Sequence, residues 1–165
     1  MDIMDKSLLE FWQMLNRNEV KYIMVGGLSV NFNGHNRVTD DLDIWLKDTL
    51  ENRKRFRKSF QDLGYGDFLS FETTQFIPGW SQFYVGPGIV LDIMTSMKGL
   101  EEYSFDECYE KASFAAIDGV AVPFLHINHL LQNKRAVARP KDLDDVRELE
   151  KIKEERRKMG LDQPE

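Results

Sequence analysis

Asp40, Asp41 and Asp43 fall within four positions of an otherwise apolar run, "DDLDIWL". Carboxylates at this density repel one another at neutral pH, and strands are poor in Asp. Local stability therefore gives no reason for the cluster, whereas a bound cation would. In a strand, residues i and i+2 share a face, so Asp41 and Asp43 are expected to project together while Leu42, Ile44 and Leu46 point into a core. Asp40 is expected to point the other way or to precede the strand, in solvent. Hard oxygen donors without clustered Cys or His suit Mg²⁺ or Mn²⁺ rather than Zn²⁺.

Mg²⁺ commonly combines one or two carboxylates with the phosphates of a substrate, which directs attention to Gly26 and Gly27. They follow "VKYIMV" and precede "LSVNFNG", a pattern of strand, tight turn and short helix. The first N–H groups of such a helix can accept an anion, and Ser29 could add a hydroxyl. Asp92 is the lone acid of "IVLDIMT" and could complete a two-metal site as its third carboxylate. Plainer readings stand beside each of these. Gly-Gly serves as a simple turn, Asp41 and Asp43 as exposed residues of an edge strand, and Asp92 as the partner of an arginine.

The elements that must position these groups follow from periodicity. Leu8, Leu9, Phe11, Trp12 and Leu15 recur at helical spacing, and the helix is expected to end near "NRNE". "DLDIWL" alternates as a strand. "LENRKRFRKSFQDLGYG" reads as a helix with Phe56, Phe60 and Leu63 on one face, stopped at Gly64. "TTQFI" and "SQFYV" read as a strand pair about Pro78 and Gly79, followed by the stronger strand "GIVLDIMTS" and the helix "SFDECYEKA". Asp118-Gly119 between apolar runs is a hairpin signal. "NHLLQNKRAV" and the charged run from Lys141 are helical, separated at Arg139-Pro140, with Pro140 suited to a first helical turn. Residues after Gly160 are expected to fray. The expectation is an α/β (α+β) fold, a mixed sheet flanked by helices with a helical C-terminus. It forms one domain over residues 1–165, with its core at about 20–150 and its last helix reaching about 160.

Composition narrows the function classes. A chain of 165 residues that is 42% hydrophobic and 30% charged is globular rather than disordered. No apolar run approaches the roughly 20 residues of a membrane span, and the acidic start is unlike a signal peptide, so no membrane partner and a cytoplasmic location are expected. Cys108 is the single cysteine, which rules out an intrachain disulfide or a thiolate cage and gives it a buried structural role. The net charge of −6 argues against coating nucleic acid with the whole surface, but allows a local basic groove. Arg53, Lys54, Arg55, Arg57 and Lys58 are the candidates for such a groove, or form a solvated face. Glu154 and Lys158 are placed as an ordinary i, i+4 pair. His35 lies in the loop before the acidic strand, His126 and His129 read as structural, and Trp45 either lines the cleft floor or packs beneath a helix.

At this point the sequence resembles the DNA polymerase β-like nucleotidyltransferase superfamily. Its motif of an apolar residue, Gly-Gly or Gly-Ser, a spacer, and then Asp-apolar-Asp-apolar is matched by Val25, Gly26, Gly27 and Asp41-Leu42-Asp43-Ile44. The segment is especially similar to the bacterial branch of minimal nucleotidyltransferases and AbiEii-type toxins, whose Arg-x-Thr-x-Asp-apolar-Asp is matched by Arg37, Thr39, Asp41 and Asp43. That branch's late Lys and Arg-x-Lys-Asp are matched by Lys134, Arg139, Lys141 and Asp142. The likeness spans roughly residues 20–150.

The resemblance implies a nucleotidyltransferase fold and transfer of a nucleoside monophosphate from an NTP to an acceptor hydroxyl. It assigns two Mg²⁺ ions to Asp41, Asp43 and Asp92, with Asp92 also receiving the acceptor's proton. Gly26, Gly27 and Ser29 would hold phosphates, and Arg37, Thr39, Lys134, Arg139 and Lys141 would face the nucleotide. Arg37 could equally buttress the acidic strand, and Lys141 could pair with Asp144 or Asp145. RNA or tRNA, a protein side chain and a small hydroxylated molecule such as an aminoglycoside or lincosamide remain open as acceptors, within a toxin–antitoxin, phage-defence or resistance setting. Specificity is expected from the chain's own loops, a second subunit or a partner protein. The competing class is a non-catalytic module that keeps the fold and binds a partner.

Overall fold

The computed structural model describes residues 1–161; of the residues expected to fray, 162–165 lie outside that range. Six strands form one sheet in the order β3-β4-β2-β1-β6-β5. These are β1 (Tyr22–Val25), β2 (Asp41–Leu46), β3 (Gln82–Tyr84), β4 (Val90–Met94), β5 (Ser113–Ile117) and β6 (Val120–Phe124). β1 runs antiparallel to β2, while β2 and β4, like β1 and β6, are parallel. The hairpin β5-β6 turns on Asp118 and Gly119, both at positive φ (48° and 80°), the conformation a two-residue hairpin requires.

Helices cover both faces. On one, α1 (Lys6–Arg17), α3 (Leu50–Asp62) and the single turn α4 (Ser70–Thr73) bury Trp12, Phe56, Phe60 and Phe71 against Met24, Leu42, Ile44 and Ile93. On the other, α5 (Phe105–Lys111), α6 (Ile127–Val137) and α7 (Pro140–Lys158) bury Cys108, Leu130 and Leu149 against Ile23, Val25, Trp45 and Met94. The period-two alternation of β2 explains this division, since Leu42 and Ile44 feed one core and Trp45 the other. The short α2 (Gly26–Phe32) contributes Leu28 to the first core and Val30 to the second. This arrangement is the expected mixed sheet with a helical C-terminus.

The segment "TTQFI" is not a strand. Its first residue, Thr73, ends α4, and Arg53 of α3 donates to the carbonyls of Phe71 and Thr74 at 3.2 and 2.6 Å and lies over the Phe76 ring. A guanidinium takes the carbonyls that a ladder would have used. Three of the remaining four cations of the basic run are likewise engaged, with Arg55 bonded to Glu51, Arg57 to Asp67 and Glu72, and Lys58 to Asp62, while Lys54 is exposed. The run forms a paired face rather than an open polyanion groove. Trp45 is buried under α5, edge-on to Phe105, so it packs beneath a helix and does not floor a cleft. Cys108 is fully buried, and burial pushes its thiol up to about 11. Glu154 pairs with Arg157 at i, i+3, not with Lys158. No helix among the described residues is long and apolar enough to cross a membrane.

Candidate active site

Gly26 takes φ +64°, and a Cβ there would overlap the Asp43 carboxylate, its Oδ2 first. A Cβ on Gly27 would stand 2.5 Å from Thr39 Oγ1 and 3.3 Å from Arg37 Nη1. The two glycines are therefore needed for two reasons, a left-handed backbone and a close approach of α2 to the acidic strand. No side chain caps the start of α2, so its first N–H groups face the same space as Asp43. Ser29 is buried, and its Oγ donates to the Gly26 carbonyl at 2.7 Å, bracing the turn.

β2 and β4 are parallel, with Asp43 opposite Asp92 and Asp41 opposite Val90. Residues opposite one another share a face, so all three carboxylates lie on the side of the sheet that α5, α6 and α7 cover further along. Asp41 and Asp40 are exposed, Asp43 is half-buried and Asp92 is buried. Burial first, then the Asp92 and Asp41 carboxylates, push the Asp43 carboxyl up to about 6 against the pull of Lys134 and Lys141. Burial also raises Asp92, opposed by the Gly79 N–H and assisted by Asp41. Among the described residues no three His, Cys, Asp or Glu side chains are gathered into a preformed metal cage. The donors fit a hard divalent ion nonetheless, because they are oxygens only and a cation would relieve the strain that lifts Asp43.

A cationic cluster flanks the acids and is ordered by two buried carboxylates of α7. Asp145 accepts from Arg37 Nε and Nη2 at 2.7 and 3.0 Å, and Lys134 Nζ lies 3.0 Å from it. Asp142 accepts from Lys134 at 3.1 Å and from Arg139 Nε and Nη2 at 2.6 and 3.1 Å. Burial alone would raise Asp142, but the Arg139 and Lys134 hydrogen bonds and charges reverse this and hold it at about 2. Lys141 pairs with neither Asp144, which bonds Arg147, nor Asp145. The structure thus brings Arg37, Lys134, Arg139 and Lys141 together, with Arg37 buttressing rather than free. His35 stays half-buried in its loop.

One further component stands against Asp92. Ile77-Pro78-Gly79-Trp80 is a tight turn in which Trp80 N–H donates to the Ile77 carbonyl at 2.9 Å, with Pro at the second position and Gly79 at φ +78°. The turn aims the Gly79 N–H at both Asp92 oxygens, at 3.0 and 2.9 Å, and leaves Trp80 86% exposed. Gln82 lies opposite Asp92 on β3, and exposed Tyr84 shares its face. The Pro-Gly pair signalled the turn, but only the β3–β4 register places it against an acid.

Comparison with known proteins bears on this geometry. No protein-family profile matches the chain, and no curated protein matches it in sequence. Solved structures do match in fold. The lincosamide antibiotic adenylyltransferase LnuA, solved with lincomycin, superposes with a TM-score of 0.58 at 16% identity over 90% of this chain and 97% of its own. TM1012 of Thermotoga maritima, assigned as a nucleotidyltransferase, gives 0.58 at 18% identity over 86% and 88%. ANT(2'')-Ia, in complex with adenylyl-2''-tobramycin, gives 0.55 at 18% over 87% and 89%. The chain has the nucleotidyltransferase fold.

Proposed function

We propose that this protein is an Mg²⁺-dependent nucleotidyltransferase that moves a nucleoside monophosphate from an NTP to the hydroxyl of a small acceptor. The observation that carries the reading is the register setting Asp43 opposite Asp92, with Gly26 packed on Asp43 without a side chain between them. Asp41, Asp43 and Asp92 would hold the divalent ions, which when bound supply charge neutralisation at the triphosphate and lower the pKa of a coordinated hydroxyl.

The chain's own groups account for the remaining steps. Gly26, Gly27 and the open start of α2 receive the phosphates, with Ser29 keeping the turn in shape and Thr39 beside Gly27. Lys134, Arg139 and Lys141 offset the triphosphate charge from the α6–α7 side, held in place by Asp142 and Asp145. The acceptor oxygen attacks the α-phosphorus as the bond to the β-phosphate oxygen breaks and pyrophosphate departs. The acceptor's proton passes to an Asp92 oxygen, which retains a lone pair beyond the one that the Gly79 N–H engages.

A small hydroxylated acceptor is favoured over RNA because four of the five cations from Arg53 to Lys58 are already held by carboxylates of this chain. LnuA and ANT(2'')-Ia, similar in fold, bear names that join them to a lincosamide and to tobramycin. Exposed Trp80 and Tyr84 beside Asp92 offer an acceptor an apolar surface. Arg37-x-Thr39-x-Asp41-Leu42-Asp43 supports a second reading, an AbiEii-like toxin-branch enzyme that labels RNA or a partner protein. Incubation with each α-labelled NTP, Mg²⁺ and either a panel of aminoglycosides and lincosamides or a cell extract distinguishes them. Label on an antibiotic that vanishes in Asp43→Asn supports the first; label on RNA or protein alone supports the second. No transfer under any condition leaves the non-catalytic module.

A further inference from the structure

α5, α6 and α7 enclose a second concavity of about 320 Å³ that shares no residue with the acidic site. Its chemistry rests on Tyr103, Lys111, His129, Gln132, Arg135 and Lys153. Lys134 and Arg135 are neighbours on α6 but serve opposite sides. Lys134 is 4% exposed and turned to Asp142 and Asp145, whereas Arg135 lines the concavity. Along α7, Lys153 stands twelve residues beyond Lys141, which at the helical rise is about 18 Å. The pocket is thus set well away from the donor side of the fold, with α6 as a common wall.

Among the described residues the lining carries no carboxylate, although the chain as a whole has a net charge of −6. Among the described residues, two acids bond side chains of the lining. Glu150 pairs with Arg135, and Glu102 accepts from Gln132, which also donates to the Gly99 carbonyl. Lys111 and Lys153 make no ion pair among the described residues. Arg135 has Glu150, but Lys111 and Lys153 face the same concavity with no carboxylate partner among the described residues, so an anion is their complementary ligand. An aromatic wall stands beside them, since the Tyr103 and His129 rings lie 5.0 Å apart and His129 is buried. The volume exceeds what one phosphate fills and falls at the small end of ligand pockets, roughly 300–1,000 Å³.

We infer that this concavity is a second, non-catalytic binding site for a phosphorylated ligand of mononucleotide size. Its phosphate meets Lys111, Arg135 and Lys153, and its ring lies against Tyr103 and His129. The inference does not depend on transferase activity, and its test does not read activity.

AMP is titrated into the full-length protein without divalent ions and followed by calorimetry and by amide NMR, with inorganic phosphate and adenosine as separate arms. Saturable one-to-one binding of AMP is expected, with shifts in α6 around Gln132 and Arg135, unchanged in Asp43→Asn. Lys111→Ala/Lys153→Ala, at sites where both side chains reach solvent, is expected to melt as the parent does and to bind AMP at least about tenfold more weakly. Phosphate alone is expected to bind about tenfold more weakly than AMP, and adenosine not measurably. Absence of saturable AMP binding, its loss in Asp43→Asn, or its persistence in the double variant would overturn the site. Equal affinity for phosphate or adenosine would overturn the ligand class, as would tighter, lysine-dependent binding of a short single-stranded RNA.

Discussion

Arg37 and Asp145, separated by 108 positions, form a two-pronged ion pair that ties the loop before the acidic strand to the second turn of α7. Asp145 is 1% exposed and also receives Lys134. One carboxylate therefore sets two cations that face the candidate donor space.

Removing that carboxylate strands Arg37 and leaves Lys134 with Asp142 alone. Asp145→Ala is expected to destabilise the fold by roughly 2–4 kcal/mol in urea unfolding, since loss of one partner leaves buried charge uncompensated. Asp145→Asn should recover part of this by keeping hydrogen bonds. A loss below about 0.5 kcal/mol would mean that the pair is ornamental.

Asp43 should trade stability for function. Its folded pKa, about 6 against an ordinary 3.8, means that the fold favours the protonated carboxyl. That stabilising contribution is complete below the unfolded value and is lost as pH rises through about 6. Without divalent ions, Asp43→Asn should match the parent near pH 4 and exceed it at pH 8 by about 3 kcal/mol in thermal melts. It should also abolish transfer. A parent that gains stability relative to the variant as pH rises contradicts the assigned shift.

Gly26→Ala tests the close approach of α2. The new methyl would overlap the Asp43 carboxylate from a backbone at φ +64°. A stability loss of about 1–3 kcal/mol is expected, together with a loss of transfer far larger than a destabilised but folded enzyme would show. Wild-type rates from a folded Gly26→Ala protein would remove the glycine from the site.

Trp80→Ala probes the opposite behaviour. The ring is 86% exposed, so stability should change by less than about 0.5 kcal/mol. Steady-state kinetics should instead show a KM for the acceptor raised about tenfold, with the NTP KM unchanged. A shift confined to the NTP would assign Trp80 to the donor side.

How much could be read in advance depended on the range of the interaction. Asp41 and Asp43 were legible because the period of two within β2 fixes their common face, and Gly26-Gly27 because a turn after a strand is a local signal. Asp92 was legible as the third carboxylate from its isolation in an apolar strand and from the family resemblance, but its place directly opposite Asp43 depends on parallel pairing of β2 with β4, a long-range register. Asp142 and Asp145 sit in a helix dense with charge and look solvated in sequence; only the arrival of Arg37, Lys134 and Arg139 makes them organising centres. "TTQFI" has strand-like composition, and Arg53 overrides it from another helix. His129 read as structural and is buried, yet one edge of its ring also borders a basic hollow that needs α5 and α7 to exist.

Because both organising carboxylates belong to α7, the order of synthesis matters. A nascent chain can complete its sheet and bury most of its aromatic side chains before Asp142 and Asp145 leave the ribosome. Until they do, Arg37, Lys134 and Arg139 lack their anchors, so the candidate site takes shape only after the sheet that carries its acids.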